Sequence, residues 1–178
     1  MKDQVLVIVM GVSGTGKSSV GSVLASEKGW AFLEADDFHS REAKARMASG
    51  KPLDDEMRAP WIDRICAVLE QHRMNGSSVV LSCSALRAAH RDRFRATDYP
   101  ICQFIFLNAH KEVIARRIAA RENHFMPASL LDSQFDTLEW PTDETDVAEI
   151  SVVQSLEEVI EEAIKQLRTR STSTSRTS

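Results

Sequence analysis

Apolar and polar residues alternate in blocks along this chain, and each block is typical of one kind of secondary structure. The run VLVIVM, residues 5–10, is continuously apolar and rich in β-branched side chains, which predicts a strand buried on both faces. Shorter apolar runs predict further strands over residues 30–34, 77–83, 101–107 and 147–152. Apolar residues at helical spacing predict helices over residues 17–28, 40–49, 55–74, 87–95, 111–122 and 155–168.

The regular alternation of strand and helix predicts an α/β fold with three layers, in which helices cover both faces of a five-stranded parallel sheet. In such folds ligands bind at the carboxyl ends of the strands. Residues 123–145 fit the alternation poorly, so we expect a mobile lid over residues 122–138. We expect one domain over residues 1–170, and a disordered tail in the polar sequence STSTSRTS, residues 171–178.

Composition narrows the possible classes of function. The chain has 178 residues, of which 43% are apolar and 27% are charged, and its net charge is −4. These values are typical of a globular domain and disfavour a general nucleic-acid or membrane-surface binder, which would need a basic face. Cys66, Cys83 and Cys102 lie far apart, which predicts reduced thiols in a cytoplasmic protein rather than a zinc site.

The sequence GVSGTGKS, residues 11–18, matches the phosphate-binding pattern GxxxxGK[ST] between a predicted strand and a predicted helix. This context disfavours the alternative, a glycine-rich turn that matches by chance. The glycines let backbone N–H groups surround phosphate oxygens, while Lys17 meets the outer phosphates as a catalytic residue and Ser18 ligates Mg²⁺. We therefore expect ATP with Mg²⁺ as cofactor. The predicted nucleotide-binding residues of this segment are Gly11, Val12, Ser13, Gly14, Thr15, Gly16, Lys17, Ser18 and Ser19.

The rest of the sequence separates the classes of protein that share this loop. A GTPase would carry the guanine-recognition motif NKxD, whereas residues 108–111 read NAHK. ATP-driven motors carry an acid at the end of a later strand, whereas the third predicted strand ends in VVLSCS, residues 79–84. Acids follow the second strand instead, where small-molecule and nucleotide kinases place the phosphate acceptor.

Three carboxylates, Glu34, Asp36 and Asp37, follow the second strand in the sequence FLEADDFHS. Glu34 and Asp36 are two residues apart, so on extended chain they would face the same side, toward the phosphate loop. A kinase for an alcohol needs a carboxylate for the hydroxyl proton, and we assign this catalytic role to Asp36. Glu34 and Asp36 are also expected to support Mg²⁺ through water. A helix N-cap is the alternative for Asp36 and the favoured interpretation of Asp37.

Several further motifs follow in a fixed order: ADDFH at 35–39, RMASGKPLDDEMRAPW at 46–61, CSALR at 83–87, RIAARENHFM at 117–126, SQF at 133–135 and LEWP at 138–141. Together with the phosphate loop, these motifs resemble the gluconokinases over residues 5–168. The resemblance implies a fold similar to shikimate and nucleoside monophosphate kinases, phosphorylation of D-gluconate at its 6-hydroxyl by ATP with Mg²⁺, and a homodimer. The chain departs from the family pattern at Ser40, Ala43, Arg46 and Met57, where the pattern has Pro, Asn, Lys and an acid.

The acceptor side of the predicted site depends on two residues of these motifs. The resemblance places Arg58 in the acceptor pocket, where a guanidinium suits the carboxylate of a sugar acid. The alternative for Arg58 is a solvated arginine at the start of a helix. His39 follows the acids and would either bond a sugar hydroxyl or orient Asp36, and both interpretations stay open here.

The motif CSALR supplies two more predicted substrate contacts. Ser84, at the end of the third strand, is expected to donate to a sugar hydroxyl, and its alternative is an N-cap of the next helix. Arg87, predicted on the same helix face as Arg91, is expected to contact an anion. Arg91 is expected to be structural and to pair with an acid.

The motif RIAARENH is similar to one that enters the lid of the adenylate kinases. This similarity implies that Arg117 stacks on adenine, and that Arg121 is a catalytic residue that stabilises charge on the transferring phosphoryl group. It also places His124 near the nucleotide or the acceptor, where we count it with the substrate-binding residues. A surface salt bridge with Glu112 or a neighbouring acid is the alternative for Arg117. Gln134 is expected to line the closed substrate pocket.

Two other functions compete with a gluconate kinase. One is a shikimate-type or nucleoside monophosphate kinase, which shares the loop and the predicted fold. The other is a non-catalytic nucleotide-binding regulatory module. The presence of Lys17, Ser18, Asp36 and Arg121 disfavours such a module, because a degenerate site would tolerate their loss.

Overall fold

The computed structural model of the chain describes residues 3–120 and 128–173. Within these residues the strands are β1 Val5–Met10, β2 Ala31–Glu34, β3 Val79–Ser82, β4 Ile101–Asn108 and β5 Val147–Ser151. The helices are α1 Lys17–Lys28, α2 Arg41–Ala48, α3 Asp55–Met74, α4 Ala88–Arg95, α5 Lys111–Ala119, α6 Ala128–Thr137 and α7 Leu156–Ser173. A short 3-10 helix, Ala35–Phe38, joins β2 to α2. The predicted strands and helices are confirmed, with small differences at their ends.

The strands form one parallel sheet in the order β2-β3-β1-β4-β5. The central strand β1 pairs with β3 on one side and with β4 on the other, so that Leu6 lies opposite both Val79 and Cys102. Because the strands are parallel, their carboxyl ends open at one edge of the sheet, and β1 is the strand at which the winding reverses. The predicted three-layer α/β/α fold is confirmed, and ligands are expected beyond the end of β1.

Two apolar cores lie on opposite faces of the sheet, and alternate residues of β1 contribute to each. Val7 and Val9 pack on one face with apolar residues of α1, α5 and α7. Leu6, Ile8 and Met10 pack on the other face with residues of α3 and α4. Each such side chain contributes about 1.5–3 kcal/mol by leaving water. This burial holds β1 rigidly and fixes the point from which the phosphate loop departs.

A buried arginine fixes the loop between β3 and α4. Arg91 is fully buried, and its guanidinium donates to the carbonyl groups of Ala85, Leu86 and Glu139 and to the carboxylate of Glu144, at distances of 2.5–3.2 Å. Hydrogen bonds from Arg91 lower the pKa of the Glu144 carboxyl below its usual value. The predicted structural role of Arg91 as the partner of an acid is confirmed.

Two element ends differ from the prediction. Helix α4 begins at Ala88, and Arg87 precedes it as the N-cap residue with extended backbone, so Arg87 does not share a helix face with Arg91. Helix α7 continues to Ser173, into the segment predicted to be a disordered tail.

The predicted lid is described in part. Residues 122–127 lie outside the described residues, while α6 accounts for residues 128–137. The mobility of the segment stays a prediction. In the part of the chain that the structure describes, no helix combines the length and the hydropathy needed to cross a membrane.

Candidate active site

The phosphate loop leaves β1 in a conformation that requires glycine. Gly11 and Gly14 have backbone φ angles of 139° and 83°, in the left-handed region. A Cβ atom would lie 2.4 Å from the carbonyl oxygen of Leu107 at the first position and 2.7 Å from Cγ1 of Ile118 at the second, so neither glycine can be replaced without a shift. The N–H of Gly11 also donates to the carbonyl of Ser84 at 3.2 Å, which ties the loop to the end of β3.

A cleft of about 770 Å³, here called the main cleft, lies beside this loop at the carboxyl edge of the sheet. Its loop wall consists of Ser13, Gly14, Gly16, Lys17, Ser18 and Ser19. Its opposite wall includes Asp36, His39, Arg58, Trp61, Ser84 and His90. The volume is typical of a pocket for small molecules. The prediction that the loop and the acids after the second strand meet at one edge is confirmed.

Glu34 contacts the phosphate loop directly. The hydroxyl of Ser18 donates to Oε2 of Glu34 at 2.5 Å, and Oγ of Ser82 lies 3.5 Å from Oγ of Ser18. Among the described residues, no group of three or more His, Cys, Asp or Glu side chains is placed to hold a metal ion. A cation at Ser18 would therefore take other ligands from phosphate and water, as Mg²⁺ commonly does. The hydroxyl and carboxylate oxygens present here are the donors that Mg²⁺ prefers, so these residues fit the ion.

Asp36 lies in the 3-10 helix and not on extended chain. The strand-like alternation that put Glu34 and Asp36 on one face was therefore wrong, although both side chains line the main cleft. The turn is stabilised from a distance, because the buried indole N–H of Trp61 donates to the carbonyl of Ala35 at 2.8 Å. Asp36 is 83% exposed, so its carboxylate is accessible from the cleft.

The N-cap of helix α2 is Ser40. Its hydroxyl accepts a hydrogen bond from the N–H of Ala43 at 3.1 Å. The N-cap interpretation of Asp37 was therefore wrong, and the same alternative for Asp36 is excluded. The 3-10 turn moves the helix start past both acids to Ser40, one of the positions at which the chain departs from the pattern of its relatives.

His39 is packed between the acid and an aromatic ring. Its imidazole stacks on Trp61 with ring centroids 4.3 Å apart and planes inclined by 13°. Its Nε2 lies 3.8 Å from Oδ1 of Asp36, which is longer than a hydrogen bond. Burial lowers the pKa of His39, although the negative charge of Asp36 acts in the opposite direction. A neutral His39 can serve either Asp36 or a sugar hydroxyl, and both predicted roles stay predictions.

Two arginines meet at one carboxylate beside the main cleft. Arg58 lines the cleft, and with 18% of its side chain exposed it is not the solvated arginine of the alternative interpretation. Its Nη1 donates to Oδ1 of Asp55 at 3.2 Å. The same carboxylate oxygen lies 3.3 Å from Nε of Arg87. The structure thus brings the two predicted anion contacts together, from the first turn of α3 and the residue before α4.

Ser84 lines the main cleft beside Cys83. The N-cap position of α4 belongs to Arg87, and the first N–H of the helix, at Ala88, donates to a carboxylate oxygen of Glu139 at 2.6 Å. The alternative that Ser84 caps α4 was therefore wrong. Burial raises the pKa of Cys83 to about 12, so this cysteine is an uncharged thiol in the cleft wall.

Helix α6 contacts the phosphate loop through Gln134. The N–H of Ser13 donates to Oε1 of Gln134 at 2.6 Å, and Nε2 of Gln134 donates to Oγ of Ser13 at 3.0 Å. Within the loop, the ammonium of Lys17 donates to the carbonyl of Val12 at 3.0 Å. Gln134 also lines the main cleft, and its place in a closed substrate pocket stays a prediction. A phosphate group that enters the loop would compete with these contacts.

A second hollow of about 340 Å³ adjoins the phosphate loop on the side of α5 and β5. Arg117 lines this hollow, and its Nη2 donates to the carbonyl of Val152. The alternative pairing of Arg117 with Glu112 is not formed among the described residues, where the neighbouring Arg116 bonds the Glu112 carbonyl instead. The predicted catalytic Arg121 and the predicted substrate-binding His124 lie outside the described residues.

Known proteins resemble this chain in sequence and in fold. Residues 6–141 match a family model described as an AAA domain. A gluconokinase from Gluconobacter oxydans is 41% identical over 161 residues, which cover 90% of each chain. This chain belongs to the gluconokinase family. The crystal structure of a gluconokinase from Sinorhizobium meliloti 1021 matches it with a TM-score of 0.86 and 39% identity, over 95% of this chain and 94% of that chain.

A more distant structure is similar to this gluconokinase-family chain in fold but not closely in sequence. A shikimate kinase from Aquifex aeolicus covers 93% of this chain with 98% of its own, at a TM-score of 0.66 and 15% identity. The predicted kinase fold is confirmed by both structures. The identity to the shikimate kinase is too low to transfer its substrate.

The sequence analysis gave no role to two residues of the site, although one of them, Asp55, stands within the motif at residues 46–61. His90 lines the main cleft, where burial, assisted by the positive charges of Arg58 and Arg87, lowers its pKa. Asp55 joins the two arginines. The spacing of Asp55 and Arg58, three apart at a predicted helix start, was a signal for their pairing. No local spacing connects Asp55 with Arg87, since these residues meet only in the folded chain.

Proposed function

We propose that this chain phosphorylates D-gluconate at its 6-hydroxyl with ATP. The observation that carries the proposal is the main cleft, where the phosphate loop faces a wall containing the accessible acid Asp36 and the arginine Arg58. A sugar-acid kinase needs a phosphate cradle, a carboxylate for the hydroxyl proton and a cation for the acid group. The gluconokinases that share 39–41% identity with this chain support gluconate as the acid.

The nucleotide is assigned to the phosphate loop and the second hollow. Backbone N–H groups of residues 11–19 bind the phosphates, assisted by the positive N-terminal end of α1. Lys17 exchanges its contact with the Val12 carbonyl for the outer phosphates. Arg117 flanks the base in the second hollow through a cation–π contact. Arg121 is assigned to the transferring phosphoryl group from its motif alone.

Mg²⁺ is assigned to the oxygen donors beside Lys17. The hydroxyl of Ser18 would hold the ion, and Glu34 and Asp36 would contact it through water. When bound, the ion neutralises charge that develops on the phosphates during transfer. The existing hydrogen bond from Ser18 to Glu34 keeps this hydroxyl at the mouth of the loop.

The sugar acid is assigned to the opposite wall. Asp36 accepts the proton of the 6-hydroxyl and orients its oxygen for in-line attack. Ser84 lies in the same wall and bonds a sugar hydroxyl. His39, also in this wall, either bonds a sugar hydroxyl or orients Asp36. Arg58 and Arg87 take the carboxylate of the acid.

The remaining assignments rest on motif and family. His124 and Gln134 are proposed to contact the substrate when residues 122–138 close over the cleft and exclude water. The contact of Gln134 with Ser13 offers a path for coupling α6 to the occupied phosphate loop. We also propose a homodimer, and a cytoplasmic location in which Cys66, Cys83 and Cys102 remain free thiols.

Release of ADP from Mg·ATP, measured against a panel of D-gluconate, shikimate, AMP and other sugar acids, tests this function. We expect rapid turnover on gluconate and background turnover on shikimate and AMP. The variant Lys17→Met supplies the background rate, since it removes the phosphate-binding ammonium without removing the fold. Turnover on AMP or shikimate with none on gluconate would contradict the proposal.

A further inference from the structure

Asp55 lies in the first turn of α3 but does not cap the helix. The N-cap of α3 is the preceding residue, Asp54, whose Oδ1 accepts a hydrogen bond from the N–H of Met57 at 2.9 Å. The carboxylate of Asp55 points instead to two cations, Nη1 of Arg58 at 3.2 Å and Nε of Arg87 at 3.3 Å. One oxygen atom, Oδ1, makes both contacts, so the two guanidinium groups are drawn to a single point.

Two guanidinium groups that both contact one oxygen atom are close enough to repel each other, and the negative charge of Asp55 between them offsets this repulsion. Arg58 comes from the first turn of α3, whereas Arg87 comes from the segment between β3 and α4. Within the described residues, the buried Nε of Arg87 has no well-aligned hydrogen-bond partner, and its contact there is the ion pair with Asp55. Asp55 is therefore the group that holds Arg87 beside Arg58, which lines the main cleft.

Arg58 and Arg87 can bind a second carboxylate in addition to that of Asp55. Each guanidinium carries five N–H donors, and Asp55 contacts one nitrogen of each. Arg58 lines the main cleft, and the charges of both arginines act on His90 in the same wall. A carboxylate that enters the cleft beside Arg58 would meet cations that are already oriented, which lowers the cost of ordering long side chains on binding.

We propose that Asp55 is a positioning residue that holds Arg58 and Arg87 together as a two-guanidinium site for the carboxylate of the acid substrate. This inference rests on the proposed function, since it assigns the part of the site that distinguishes an acid from a neutral sugar. Asp55 does not touch the reacting atoms, and its effect reaches the substrate through the two arginines. Its removal should weaken binding of an anionic substrate and should spare both ATP and the phosphoryl transfer step.

Steady-state kinetics of the full chain with Mg·ATP test this role, using D-gluconate and its neutral amide, D-gluconamide, as phosphate acceptors. We expect Asp55→Asn to raise KM for gluconate about tenfold, the cost of one well-placed charge-assisted contact, with kcat and the KM for ATP close to wild type. The preference for gluconate over gluconamide should fall by the same factor. Asp55→Glu should restore part of that preference, because it returns the charge.

Asp54→Asn is the matched control, because it removes one negative charge from the same helix start while asparagine keeps the cap. It should leave both KM values within about twofold of wild type. Arg87→Met should raise KM for gluconate, and the double variant with Asp55→Asn should show less than the product of the two effects. An unchanged or lowered KM for gluconate in Asp55→Asn, or an equal rise for gluconamide, would overturn the proposal. Failure of the wild type to use gluconate would instead overturn the proposed function.

Discussion

The two walls of the main cleft are built in different ways. The loop wall comes from one continuous segment, residues 13–19, and its chemistry lies mainly in backbone N–H groups held by glycine conformations. The opposite wall is assembled from separate segments, which include residues 36–39, 58–61 and 84–90, and its chemistry lies in side chains. A backbone cradle suits a group that every kinase of this fold shares, the phosphate. A wall of side chains can change with the acceptor.

This difference predicts which kinetic parameters a substitution in each region should change. Changes on the opposite wall should alter parameters of the sugar acid and leave those of ATP, whereas changes near the second hollow should do the reverse.

The largest effect is expected at Asp36, where the two walls meet over the transferring group. Asp36→Asn keeps the size of the side chain but removes the base, so kcat should fall about 10²- to 10⁴-fold. The KM for ATP should change little, because the loop wall, and not Asp36, is assigned to the phosphates of the nucleotide. Asp37→Asn, one residue along the same 3-10 turn, is the control and should keep near-normal kcat. Near-normal kcat in Asp36→Asn would remove Asp36 from the chemistry.

The next effect concerns the support beneath the opposite wall. Glu144→Gln takes the charged partner from the fully buried Arg91 and from Arg95, which should lower the free energy of unfolding by about 2–3 kcal/mol. Urea unfolding measures this loss, and Asp143→Asn, at the exposed neighbouring position, should leave stability within about 0.5 kcal/mol. Because Arg91 holds the carbonyls of Ala85 and Leu86, KM for gluconate should also rise while KM for ATP stays. Equal changes in both KM values would break the division.

A smaller effect is expected in the second hollow. Arg117→Ala removes the cation proposed to flank the base, so KM for ATP should rise by a factor of roughly three to thirty. The KM for gluconate should be unaltered. Arg116→Ala, which changes the adjacent arginine that bonds the Glu112 carbonyl, serves as the control. A rise in KM for gluconate and not for ATP would place Arg117 outside the nucleotide site.

The smallest effect is a pH dependence that belongs to the opposite wall. Burial lowers the pKa of His39 and of His90 below 6.5, the ordinary value that their side chains regain on unfolding. The folded chain therefore binds fewer protons, so its stability is full above pH 6.5 and falls as the pH drops through the folded-state pKa values. The urea midpoint should fall between about pH 7.5 and about pH 5.5.

Replacing one of the two histidines tests whether it causes this pH dependence. His90→Gln should flatten the change in urea midpoint, whereas His110→Gln, at an exposed position, should keep the wild-type dependence. An unaltered slope in His90→Gln would mean that other groups dominate the acid response of the fold.

The sequence predicted the loop wall better than the opposite wall, for a physical reason. The phosphate loop is local, so spacing alone identified Gly11, Lys17 and Ser18, and the alternation of strands and helices predicted the sheet edge on which they lie. The turn at residues 35–38 depends on the hydrogen bond from Trp61 to Ala35, 26 residues away. No local pattern contains such a contact, and the strand-like placement of Asp36 failed for that reason.

The acids and arginines of the opposite wall show the same limit. Asp37 looked like a cap because acids commonly begin helices, but the 3-10 turn shifts the start of α2 to Ser40. Arg87 looked like part of a helix, yet its extended backbone directs it toward Asp55. Residue types predicted the chemistry of this wall, whereas the pairing of its charges required the folded chain.

The central claim is that Asp36 and the loop wall deliver phosphate to the terminal hydroxyl of a sugar acid. The ³¹P NMR spectrum of the product formed from Mg·ATP and D-gluconate tests it most directly. A phosphate on the 6-hydroxyl gives a monoester resonance split into a triplet by the methylene protons of C6, and this is the predicted result. A doublet, from a phosphate on a secondary hydroxyl, or the absence of any new phosphomonoester would contradict the account.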